Sequence, residues 1–542
     1  MRRIPYTLLL YVLFRVYALA QESHLSGSVI STVQYYENDT VTRFRAPEGK
    51  LRGMHYVTLD YVNGPWSAGV VEEAYLPQSL LGYDPALKGN LLTDYYIRYR
   101  QGPWDVTGGY FYEQLGEGML LRSWRDRTLG IDNAVRGLRL KYTFMPGLKA
   151  TLLSGRMRTG MQLAGSVISA ASVNVNVNQW WEKLPATNLN LSVLNRYEPT
   201  GNNPRLPESV NVYAAEINTH PGNVDLAFLY AYKTPDALFE HGILNDRVLF
   251  DGDLYWLNAG YSVRGFGMDI TLRRSENMQF YAQRNLQGNF YNTGTVNYIP
   301  SLTKQHDYLL TGLYVYATKE GISFDDWSVG EIGGQADVFF RFKRHSLLGG
   351  KYGTKVSLNF ARWHALKAEF YPVSGIYKRP FAAAGALYYQ DFNINVKKKI
   401  GRKLKASFHL VDQYYNQAKL EGHGEMVHAS TLITDWEWRL PHYSSLRVEL
   451  EHLFTKQDEK NWVAGGLEYN WNGRVGVYVT DMYNYGLTKI HYYNAGIVYT
   501  NHGNRITLGY GRTRGGLVCV GGVCRYVPPS KGLQMTIALR MN

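Results

Sequence analysis

Residues 531–542 read KGLQMTIALRMN. Leu533, Met535, Ile537, Leu539 and Met541 alternate with Gln534, Thr536, Ala538 and Arg540. A period of two places the apolar set on one face of an extended strand and the polar set on the other. The segment therefore predicts a strand with an apolar phase on one side and water on the other.

The same alternation recurs toward the N-terminus. Ile506, Leu508 and Tyr510 oppose Arg505 and Thr507; Val463, Leu467, Tyr469 and Trp471 oppose Glu468 and Asn470. Leu446, Val448 and Leu450 oppose Arg447, Glu449 and Glu451, while Val338, Phe340 and Phe342 oppose Asp337, Arg341 and Lys343. Near the start, Leu138, Leu140, Tyr142 and Phe144 oppose Arg139, Lys141 and Thr143. A soluble sandwich alternates too. Roughly 25 such segments of about ten residues, in one uniform composition, predict instead an all-β fold: a single large transmembrane antiparallel β-barrel of about 24–26 strands. Residues 280–300 are the place where a further strand is expected.

Turn signals add a second rhythm. Asn63-Gly64-Pro65, Gly102-Pro103, Pro146-Gly147, Pro221-Gly222-Asn223, Asn472-Gly473 and His502-Gly503-Asn504 alternate with longer polar stretches. Short periplasmic turns and longer extracellular loops are the expectation for an outer-membrane barrel. Short connections near 344–350, 456–459 and 486–488 blur that rhythm.

Composition agrees. The chain holds 12 Trp, 44 Tyr, 20 Phe and 54 Gly, with a negative mean hydropathy. Aromatic girdles and glycine-rich strands suit a barrel better than a helical protein. The N-terminal MRRIPYTLLLYVLFRVYALA has two arginines, an apolar run and an Ala-Leu-Ala ending, so residues 1–20 read as a signal peptide and 21–542 as the mature barrel. After it, no apolar run is long enough for a spanning helix. The formal net charge is +13, and removal of Arg2, Arg3 and Arg15 leaves +10. The basic residues form no dense patch, so nucleic acid is not an expected partner. Outer-membrane lipid and lipopolysaccharide, the barrel-insertion machinery and an envelope protein are the partners expected, in the outer membrane of a Gram-negative bacterium.

The only two cysteines, Cys519 and Cys524, flank Gly521-Gly522. The glycines supply a two-residue turn, which sets the cysteines opposite each other on a non-hydrogen-bonded rung compatible with a disulfide. This hairpin crowns the last extracellular loop, 514–530.

Candidate chemistry is sparse. The loop 119–137, MLLRSWRDRTLGIDNAVRG, gathers Arg122, Arg125, Asp126, Arg127, Asp132 and Arg136 around Trp124, Leu129 and Ile131. Such a loop either folds into the lumen as a pore constriction or packs on the wall with its charges satisfied. The inward charges Arg98, Arg100, Arg139, Lys141, Arg341, Lys343, Arg447, Glu449, Glu451, Arg505 and Arg540 either select solutes or brace the wall as ladders. Glu421, His423, Glu425 and His428 share a loop but match no metal-ligand spacing, so a polar surface loop is the simpler reading. No nucleophile elbow or phosphate-binding loop occurs, and neither enzymatic activity nor a cofactor is expected.

LRSWRDRTLGIDNAVRGLRLKY (121–142), YAYKTPD (230–236), VNYIPSLTKQHDY (296–308) and GGKYGTKVSLNF (349–360) resemble a functionally uncharacterised family of large outer-membrane barrels of the Bacteroidota. The resemblance covers most of the mature chain and implies no catalytic residue. The chain departs from common barrel sequences in ending Met541-Asn542 rather than in an aromatic residue. The expected function is a porin-like channel for small polar or anionic solutes. The alternatives are an accessory barrel of a secretion or surface-assembly complex (type IX secretion-like) and a non-conducting surface-binding barrel.

Overall fold

The computed structural model describes residues 23–541 apart from 202, 241–242, 290, 324–327, 372–375, 379–380 and 521–522. The signal segment 1–20 and the Gly521-Gly522 turn thus lie outside the described residues. Among those described, 25 strands join one sheet. One of them, Gln162–Leu163, is a two-residue spur on Leu148–Thr159. The other 24 form an antiparallel ring, closed where Ser23–Tyr36 pairs with both Leu51–Asn63 and Ser530–Met541. Closure satisfies every edge, which is what a sheet in lipid requires.

The last strand shows how the pattern became structure. Leu533, Met535, Leu539 and Met541 are exposed on the outer wall, and Thr536 faces in to pair with Thr32 at 3.2 Å. Connections at one end are short: residues 64–65, 102–103, 146–147, 264–265 and 502–503 each join two strands. Aromatic pairs sit beside them, with ring centroids 4.8 Å apart for Trp66 and Tyr99 and 4.5 Å for Trp104 and Tyr142. That is the interfacial place for rings with one apolar and one wet side. Long connections lie at the opposite end, among them 37–50, 76–88, 112–134, 277–327, 368–383 and 514–529. The three connections that blurred the rhythm now have places: 343–353 is a long turn-end connection, whereas 455–461 and 485–490 are short loops at the other end.

Among the described residues, 280–300 holds no strand beyond the ring's count. Residues 277–327 contain, among those described, only 3-10 turns at Arg284–Leu286 and Leu310–Gly312 and isolated bridges. The segment folds into the lumen instead. Its first half buries Met278, Phe280, Ala282 and Val296 against Met119, Leu120 and Leu121 and the inward wall residues Leu194, Leu229 and Leu254. Its second half buries Leu310, Tyr314 and Tyr316 against Trp363, Tyr389, Tyr415 and Leu453. Each fully buried apolar side chain of this size contributes about 1.5–3 kcal/mol, so the plug is seated by its own apolar surface.

Candidate functional site in the lumen

One side of the lumen is sealed by charge. Arg158, on Leu148–Thr159, lies 2.5 Å from Glu73, 2.9 Å from Asp132 and 3.8 Å from Asp94. Arg125 pairs with Asp94 and, at 2.7 Å, with Asp132. Tyr112 donates to Asp94 at 3.1 Å and to Asp132 at 3.0 Å. Of these groups Glu73, Arg125, Asp132 and Arg158 line a void of about 30 Å³. It is too small for a solute, and Glu73, Asp94 and Asp132 each have an arginine to offset their desolvation.

The loop 112–134 supplies this seal. Arg122 stacks over Trp124 at 4.0 Å and over Tyr298 of the plug at 4.3 Å, and its backbone amide donates to Val296 at 2.8 Å. Asp126 closes the loop tip by accepting from the amides of Thr128 (2.8 Å) and Leu129 (3.0 Å). Arg127 lies 4.3 Å over Tyr56. Arg122, Arg125, Arg127 and Asp132 thus come together with the plug and the wall. Arg136 does not: it is exposed on the outer face with Leu138 and Phe144, because strand alternation past Val135 turns it away from the lumen.

The inward charges divide as well. Arg98 donates to Asp105 at 2.8 Å; Arg139 reaches Thr107 at 3.1 Å and Glu113 at 3.3 Å, and Lys141 pairs with Glu113 at 2.7 Å. Arg447 sits among Glu449 (2.7 Å), Asp435 (3.0 Å) and Glu468 (3.3 Å). Arg100, Arg341, Lys343, Arg505 and Arg540 are exposed toward the turn end. Glu451 engages backbone instead of a cation. Its carboxylate accepts from the amides of Leu309 and Leu310, at 2.7 and 2.9 Å, and so fixes the plug's second 3-10 turn to the wall. The four residues Glu421, His423, Glu425 and His428 do not share one loop: His428 lies on the strand Met426–Arg439, and Glu421 accepts from the Tyr415 hydroxyl at 2.8 Å. His423 meets Glu421 at 3.2 Å, whereas His428 turns to Asp412 at 3.0 Å and stacks on Tyr414.

Opposite the seal, the plug leaves space. A cavity of about 400 Å³ lies between residues 303–316 and the wall at Thr480, Met482, Tyr492 and Asn494, roofed by Leu517, Val518 and Cys519. A second cavity of about 300 Å³ is bounded by Tyr308, Arg447, Glu449, Gly466 and Glu468, nearer the turn end. Asp307, Leu309 and Thr480 line both. These three residues therefore form the partition between an upper and a lower chamber.

The plug residues beside the partition were not legible as functional. His306 shares a hydrogen bond with Asn393 at 2.9 Å, and burial pushes its imidazole below the ordinary value. Glu320, near the return to the wall, is pushed above the ordinary carboxyl range by burial beside Ser275, with Arg273 at 3.7 Å. The signal available was the loss of two-residue alternation across 277–327, between two strands that keep it. The hairpin at the roof is as its sequence implied: Cys519 and Cys524 face each other, form a disulfide and have Cα atoms 4.0 Å apart.

The chain belongs to a family of unknown function, DUF6029, whose model matches residues 1–541. No curated protein matches it. Among solved structures it is similar to the translocation pore of the P pilus usher PapC, at 10% identity and a TM-score of 0.40 over 96% of this chain and 99% of that one. It is also similar to the siderophore receptor PirA from Pseudomonas aeruginosa, at 9% identity and a TM-score of 0.44 over 96% of this chain and 80% of that one. A third is OccK3 (OpdO) from Pseudomonas aeruginosa, at 10% identity and a TM-score of 0.40 over 82% and 99%.

Proposed function

We propose that this protein is an outer-membrane channel for small polar solutes, restricted by the plug 277–327, in which solutes pass between the plug and the wall at Leu309 and Thr480. The observation that carries this is the pair of cavities, about 400 and 300 Å³, that meet at the same three residues. The closed ring, its apolar outer face and the aromatic pairs by the short turns support placement in an outer membrane. The sequence resemblance implies a bacterium of the Bacteroidota.

The charges of both chambers are paired. Lys304, Arg512 and Arg514 of the upper one meet Asp337, Asp39 and Glu459 at 3.2, 2.6 and 3.7 Å, and Arg447 of the lower one meets Glu449 and Glu468. Paired charges leave no strong field of either sign, so the route suits small polar or zwitterionic solutes and has little of the anion preference that net charge implies.

The test is single-channel recording in planar bilayers. Small steps from the native protein, larger steps from Leu309→Gly and diminished steps from Thr480→Trp are expected. Silence from both the native protein and Leu309→Gly, with heat-modifiable folding intact, overturns the channel and leaves the secretion-accessory and surface-binding readings.

A further inference from the structure

The loop end holds a further cavity of about 540 Å³, apart from the two chambers. Three separate segments build it. Loop 76–88 supplies Leu80, Leu81 and Tyr83; the plug supplies Tyr291; the disulfide hairpin and its exit supply Tyr526 and Pro528. Arg52 and Gln78 are the polar long side chains, and no carboxylate lines the space among the described residues.

The cavity is a built site held by specific contacts. Arg525 of the hairpin lies 3.9 Å over the Tyr83 ring and donates to the carbonyls of Gly82 (3.0 Å) and Thr128 (3.1 Å). Asn292 of the plug donates to the Cys524 carbonyl at 2.8 Å. The Tyr36 hydroxyl accepts from the Leu81 amide at 2.9 Å, and Arg52 donates to the Ser79 carbonyl at 3.3 Å. The disulfide thus holds a two-stranded arm whose next residues clamp three other segments. Tyr526 remains 54% exposed at the mouth.

We infer that this cavity is a binding site for an acidic oligosaccharide. Sugar rings carry an apolar C–H face that packs on tyrosine rings and a hydroxyl edge that meets side chains such as Gln78. The volume falls in the range of ligand sites. Arg52 inside and Arg525 beneath Tyr83 supply positive charge with no acidic lining group to oppose it, so the complementary ligand carries a carboxylate or similar anion. Because Tyr291 belongs to the plug and Tyr526 to the hairpin, one bound chain touches both. Calling this face the outer one rests on the outer-membrane reading above; the site itself does not.

The experiment is isothermal titration of the full-length protein in detergent micelles. The probes are trigalacturonate, sialyllactose and a heparin tetrasaccharide, with maltotriose as neutral control and rough-type lipopolysaccharide as competitor. At least one acidic probe is expected to bind more tightly than maltotriose. Tyr526→Ala and Tyr291→Ala are each expected to weaken it roughly tenfold, the loss of one stacked ring, and Arg52→Gln to remove the acidic preference. Displacement by lipopolysaccharide assigns the sugar to the membrane's own lipid, and its failure assigns a free saccharide. No binding by any acidic probe, equal binding of maltotriose, or binding unchanged in Tyr526→Ala overturns the proposal. Conductance of the native protein and of Leu309→Gly separates the two readings: binding with both silent ends the channel and leaves this site standing, and conductance without binding does the reverse.

Discussion

Arg158 and Arg447 each stand among three carboxylates on the inner wall, yet they belong to different kinds of space. Arg158 has 3% of its side chain exposed and is packed under the loop 112–134 and the plug tip; Arg447 has 33% exposed and borders the lower chamber. The number of carboxylates is the same, although Arg125 adds a second cation beside Arg158. What differs is whether a folded segment covers them. A covered cluster becomes a seal that holds only if every partner is present, whereas an uncovered one remains a solvated lining.

The largest expected effect follows from that contrast. Arg158→Met leaves Glu73 without a cation in a dry site, Asp132 keeping Arg125, and should cost about 3–5 kcal/mol, seen as a lower temperature for loss of the folded gel band. Arg447→Met should cost less than about 1 kcal/mol in the same assay. Equal losses would mean that the two clusters are equally dry, and the comparison would fail.

A smaller effect concerns pH and the seating of the plug. The folded His306 titrates below its ordinary value of about 6.5 because burial disfavours its charged form. Its contribution to seating is therefore complete above about pH 6.5 and declines as pH falls from there toward the depressed folded value. Between pH 7.5 and pH 5 plug release, followed as conductance or as protease cleavage within 300–316, should rise more in the native protein than in His306→Gln, because the buried Glu320, pushed up, acts with the opposite sign in both. His306→Gln should flatten this dependence, and an unchanged slope would remove the histidine from the account.

The smallest effect on the barrel comes from the roof. Replacing Cys519 and Cys524 by serine removes a constraint worth about 2 kcal/mol for so short a loop, but it acts on the hairpin alone. Cleavage within 514–529 should accelerate while the barrel's thermal transition stays in place. A large drop in that transition would show that the hairpin clamps the whole ring.

The sealed and open sides also differ in sequence. In Val224–Glu240 the run LAFLYAY is apolar on both faces: Phe228 is exposed on the outer wall, and Leu229 is buried against the plug. Such a strand has lipid on one side and protein on the other, so its alternation disappears. In Ser530–Met541 the alternation survives because the inner face meets water. The covered sector was therefore written in the chain as a loss of pattern. Arg125 and Asp132 were visible as a charged pair in one loop, but their link to Glu73 and Arg158 was not, since those partners sit on separate strands and only the folding of the loop over the inner wall brings them near.

The chain by itself determined the barrel, its two kinds of connection, the facing of the final strand and the partnership of Cys519 with Cys524. All of these follow from local backbone periodicity and turn chemistry, which act within one strand or one hairpin. The tertiary structure alone decided that the described residues of 277–323 enter the lumen, that Arg136 faces out while Arg125 faces in, and that Leu309 and Thr480 line the same two cavities. Those outcomes depend on how many strands close the ring and how much apolar surface a long loop can bury inside it, and neither quantity belongs to any single segment.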